Sequence, residues 1–192
     1  IIINSEIKKL LDKEGIGTDL ILNPLNFPLL EKNLPDLCAD RVDYILRDSL
    51  CYGITGKKEV LDFLNSLRVE NNRIFFTDLN NARKLTLIFM RMDDEYYRST
   101  VQNAIYSLSG EAMRIASDKK IISEEDFFST DDLLMEKLMK SNENEIIRRI
   151  KLINLKIIVK EDPKNYDFFI KSRCRYIDPL VTVEGKTRRI SE

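Results

Sequence analysis

The chain has 192 residues, of which 33% are charged and 43% apolar, with a formal net charge of -1. That length allows one sizeable core, or one domain with a small appendage, and the near-neutral balance gives no global pull toward nucleic acid or a membrane surface. Cys38, Cys51 and Cys174 form no CxxC pair, which argues against a disulfide framework or structural zinc and fits a reducing cytoplasm, and no apolar run nears the roughly 18 residues needed to cross a bilayer.

Residues 3–13 read as a short helix with Asn4 or Ser5 as cap, broken by Gly15 and Gly17. Pro24, Pro28 and Pro35 make residues 18–36 an irregular stretch. Asp36 is the expected N-cap of a helix running to about Tyr52 and stopped by Gly53. A helix over Glu59 to Leu67 precedes a hairpin over 68–77, with Asn71-Asn72 at its turn. Thr77 or Asp78 then opens a long helical region. Ile88, Met92, Val101, Ile105, Leu108, Ala112 and Ile115 are spaced for a single helical face.

Ser123 and Ser129-Thr130 resemble helix starts with acids in the first turn, and helices are expected over Asp131 to Met139 and Asn144 to Leu155. The tail then changes character. Residues 156–160, 173–177 and 181–183 read as strands, with a turn at Glu184-Gly185-Lys186. The predicted architecture is mainly α: a helical domain over 1–155, then a small α/β appendage over 156–192.

The helix after Pro35 carries the chemistry. At about 100° per residue, Asp40, Tyr44 and Asp48 fall on one stripe at i, i+4 and i+8. Arg41 and Arg47 flank the stripe, and Val42, Ile45, Leu46 and Ser49 lie opposite. Carboxylates suit a hard divalent cation, guanidiniums suit phosphate, and a phenol can stack on a sugar or base. The plainer reading of the same pattern is a solvated face with Asp43 and Arg47 as an i, i+4 ion pair.

The segment Cys38-Ala39-Asp40-Arg41-Val42-Asp43-Tyr44-Ile45-Leu46-Arg47-Asp48, closed by Tyr52-Gly53-Ile54, resembles the last metal-binding helix of the HD-domain phosphohydrolases that include deoxynucleoside triphosphate triphosphohydrolases. Weaker likeness runs through Thr77-Asp78, Ala82-Arg83, Tyr96-Tyr97-Arg98-Ser99-Thr100-Val101 and Arg175-Tyr176-Ile177-Asp178-Pro179. The resemblance implies the C-terminal part of an HD-like helical bundle. It makes Asp40 a metal ligand and Arg41 a phosphate contact. Tyr44 and Tyr96 become sugar-facing tyrosines, and Asp48 an acid on the sugar hydroxyl.

The departure from that family is as informative: the chain contains no histidine, so the family's His and His-Asp ligands have no counterpart in it. No catalytic residue is therefore assigned. A divalent metal is expected in an intact enzyme, and absent or weakly held by this chain. The non-Met start at Ile1 favours a piece of a longer protein.

From Lys151 to Glu192 ten Lys and Arg face six Asp and Glu, an ordinary solvated surface with no strong nucleic-acid signal. No GxxxxGK[ST], GxGxxG or HExxH motif occurs. Cys38 reads as a small buried thiol. Two functions follow: part of a metal-dependent phosphohydrolase acting on a nucleotide or other phosphoester, or a non-catalytic helical binding or scaffold module. The resemblance also implies a homo-oligomer.

Overall fold

The computed structural model describes residues 2–192, which form two compact units. The first takes the chain to Glu95 and again from Cys174 to Glu192; the second comprises Tyr96–Arg173. The protein is mainly α with one small sheet, as the composition suggests. The units nevertheless divide the chain elsewhere than at residue 155: the last residues belong with the first unit.

In the first unit, α1 (Glu6–Lys13) starts at Ser5, whose hydroxyl accepts the Ile7 N–H at 3.2 Å. A short helix, α2 (Thr18–Leu22), forms where an irregular stretch was expected. Helix α3 spans Ala39–Cys51. Its cap is Cys38 rather than Asp36, and no side chain serves it. The first orphan donors are met by main chain instead: Ala39 and Asp40 N–H groups reach the Leu29 and Leu30 carbonyls at 2.7 and 3.3 Å.

The far end of α3 closes as the Tyr-Gly-Ile sequence suggests. Gly53 takes φ +69°, a conformation that favours glycine. Its N–H bonds the Leu50 carbonyl, and the Ile54 N–H bonds the Ser49 carbonyl at 2.8 Å. Buried Ser49 and Thr55 hydroxyls lock this corner at 3.0 Å.

Helix α4 (Lys57–Ser66) leads into β1 (Leu67–Glu70) and β2 (Arg73–Phe76). Asn71 and Asn72 both have positive φ, 51° and 56°, as a tight hairpin turn demands. Helix α5 (Leu79–Met92) is capped by Asp78, which accepts the Asn81 N–H at 2.7 Å. The tail returns as β3 (Leu180–Val183) and β4 (Lys186–Arg189). The sheet order is β1-β2-β3-β4, with β3 parallel to β2 in the register Phe75↔Leu180 and antiparallel to β4.

The core of this unit collects Val42, Ile45 and Leu46 of α3, Phe63 of α4, Phe76 of β2, Leu85, Phe89 and Met92 of α5, and Val181 of β3. The apolar side of α3 is the one the helical wheel placed there. Helix α1 is amphipathic yet buries none of its residues.

Two expected strands, 156–160 and 173–177, are not strands. A strand needs a ladder partner. In 156–160 no described residue supplies one, and Ile158 stands 84% exposed.

The second unit packs α6 (Thr100–Asp118), α7 (Asp131–Met139) and α8 (Asn144–Leu152) around Ala112, Ile115, Ala116, Ile122, Leu138, Ile146 and Ile150. Ser123 and Asp126 form the expected capping box, over a short 3-10 turn. The single long helical face anticipated from Ile88 onward is interrupted. A π-helical turn covers Asp93–Tyr97, and Ser99 caps a new helix by accepting the Gln102 N–H at 3.2 Å.

Candidate functional site

Helix α3 is continuous through residues 40, 44 and 48, so the two carboxylates and the phenol share one face. Asp40 is exposed, while Tyr44 and Asp48 are half-buried. Burying the opposite face in the core fixes this orientation. The expected Asp43–Arg47 pair forms at 3.0 Å, and the Arg47 guanidinium also lies 3.5 Å from Asp48.

Arg41 sits differently from the phosphate contact expected of it. It is only 8% exposed, and its guanidinium donates to the main-chain carbonyls of Asp36 at 2.5 Å and Lys32 at 3.1 Å. The Glu31 carboxylate stands 3.9 Å away. The reason is angular: one residue on from Asp40, the side chain turns into the 31–36 loop. Its charge is used to organise that loop, through hydrogen bonds stronger than neutral ones.

Tyr44 packs against Phe89 of α5, ring centroids 6.5 Å apart and planes inclined at 45°. Burial pushes its phenol above the ordinary value; the Arg41 charge and hydrogen bond, and the charge of Arg175, pull the other way. The hydroxyl therefore stays protonated at neutral pH. Tyr96 is half-buried and belongs to the other unit.

One residue that the sequence did not single out completes the surroundings. Asp93, at the end of α5, is 1% exposed and accepts the main-chain N–H of Arg175 at 3.0 Å. Nothing local marks such an acid: it reads as one of three consecutive acids in Asp93-Asp94-Glu95. Cys38 is buried, as expected of a small core thiol.

A divalent cation needs several oxygen or nitrogen ligands at once. Among the described residues no cluster of three His, Cys, Asp or Glu side chains could hold one. The described residues alone thus make no metal centre, and Asp40 offers a single carboxylate. No helix among the described residues is long and apolar enough to cross a membrane.

No family model matches the chain, and no solved structure does. It is 33% identical over 187 residues, 97% of its own length, to the uncharacterized protein YdhJ of Bacillus subtilis. The chain spans 58% of that relative. It is also 36% identical over 76 residues to the metal-dependent phosphohydrolase cns2 of Cordyceps militaris, covering 40% of the chain and 20% of the relative. A limited part of this protein is thus similar to a metal-dependent phosphohydrolase.

Proposed function

We propose that this chain is the C-terminal part of an HD-like, metal-dependent phosphohydrolase acting on nucleotides, and that α3 supplies one wall of its substrate site. The observation that carries the reading is the polar stripe of α3: Asp40, Tyr44 and Asp48 on one face, held outward by the burial of Val42, Ile45 and Leu46. The partial similarity to a metal-dependent phosphohydrolase supports the same class of reaction.

In this reading Asp40 contributes one ligand to a divalent cation whose remaining ligands lie outside these 192 residues. Tyr44 presents a protonated phenol to a sugar, and Asp48 accepts from a sugar hydroxyl. Arg41 acts as a positioning residue, since it fixes the loop leading into α3.

The test uses the full-length protein, a panel of nucleoside triphosphates and simple phosphoesters, and added divalent cations. Asp40→Ala is expected to lower hydrolysis by about a hundredfold or more while the protein stays folded, the scale seen when a key electrostatic group leaves an active site. Full activity in that variant would sink the assignment. The competing reading, a scaffold module that keeps the helix for packing, is favoured by the structural use of Arg41. It predicts no metal-dependent hydrolysis in the wild-type protein.

A further inference from the structure

We propose that Arg175 is the anion-binding residue of the α3 face, its guanidinium receiving a phosphoryl oxyanion of the ligand that lies along Asp40, Tyr44 and Asp48. The proposal rests on the reading of that face as a phosphoester site and names the group that holds the phosphate.

The argument begins with how the segment is held. Ile177 and Pro179 are buried, which ties the chain on the C-terminal side of Arg175 into the first unit. The Asp178 N–H donates to the Pro35 carbonyl at 3.0 Å, just ahead of α3. Three residues earlier, the Arg175 N–H donates to the buried Asp93 carboxylate at 3.0 Å. The Arg175 residue itself remains exposed, and no carboxylate among the described residues pairs with its side chain.

Asp93 lies four residues, one helical turn, beyond Phe89, and Phe89 carries the Tyr44 ring at 6.5 Å. The tail and α3 therefore meet the same end of α5 from two directions. The charge of Arg175 is felt at the Tyr44 hydroxyl. The other two cations of the helix already have partners: Arg41 the carbonyls of the 31–36 loop and the Tyr44 phenol, Arg47 the carboxylates of Asp43 and Asp48. A guanidinium fork without a carboxylate partner, beside a protonated phenol, suits a phosphate oxyanion. Asp93 is the positioning residue, acting through the main chain of Arg175.

Calorimetric titration of the full-length protein with inorganic triphosphate tests this directly, without needing turnover. Arg175→Ala is expected to weaken binding by roughly tenfold or more, as loss of a hydrogen-bonded charge does. Arg175→Lys should recover part of the loss, because it restores the charge but not the fork. Since Arg175 is exposed, the variants should keep the wild-type melting temperature. Wild-type affinity in a folded Arg175→Ala protein overturns the proposal. If triphosphate binding falls in Arg175→Ala while the wild-type protein hydrolyses no phosphoester with any added divalent cation, the anion site stands and the phosphohydrolase reading fails. A wild-type protein that neither binds triphosphate nor hydrolyses a phosphoester overturns both.

Discussion

Both units carry exposed ion pairs, such as Arg47 with Asp43 in the first, but the first also turns charged side chains onto partly buried main chain. In the first, charged side chains reach main chain: Arg41 holds the Asp36 and Lys32 carbonyls, Asp93 holds the Arg175 N–H, and Arg189 donates to the Asp178 carbonyl at 2.7 Å while pairing with Asp36 at 2.5 Å. In the second, charged side chains mostly meet each other at the surface: Lys119 with Glu143, Lys137 with Asp126, Arg149 with Glu111. A charge that satisfies buried carbonyls fixes a loop with no periodic structure of its own. An exposed ion pair between helices adds little to what their apolar faces already fix. The unit that carries the α3 stripe is the one whose loops are tied down.

That contrast can be broken at several strengths. The largest effect should come from the core beneath the stripe. Ile45→Ala, at a site with no exposure, is expected to cost about 2–5 kcal/mol in urea unfolding. Next is Arg41→Ala, which strands two carbonyls and should cost about 1–3 kcal/mol; a result near zero would mean that the 31–36 loop is held by something else.

Weaker still is Lys119→Ala in the second unit. A change of about 0.2–1 kcal/mol, fading at high salt, is expected for an exposed pair. A salt-insensitive loss as large as that of Arg41→Ala would erase the distinction between the units.

The smallest effect is one of pH. The Lys137 hydrogen bond, then the Ser123 N–H, hold the Asp126 carboxyl below its ordinary value. The folded state thus favours the ionised form. Its contribution is full above the unfolded carboxyl value of about 3.9 and is lost as pH falls through the lower folded value. Asp126→Asn should make thermal stability less acid-sensitive below about pH 4, with melts at pH 3 and pH 7 as the check.

Much of α3 could be read in advance. Its apolar side, its glycine stop and its Asp43–Arg47 pair follow from spacing and from the conformations glycine allows. Its start could not, because Asp36 looks like a cap while Leu29 and Leu30 carbonyls perform that task. Likewise the Asn-Asn turn announced β1 and β2, whereas the parallel partner of β2 comes from more than a hundred residues away, beyond any local signal.

What the sequence by itself determined is the set of amphipathic segments, their caps and turns, and which side of α3 is polar. These depend on neighbours within a turn or two, where periodicity and conformational preference act directly. Tertiary structure decided what each charge touches. It sent Arg41 inward to a loop. It also set Asp93 against a main-chain group 82 positions away, leaving the Arg175 side chain without a carboxylate partner. Hydrogen-bond satisfaction inside a packed core is a property of the surroundings, and a residue's letter does not carry it.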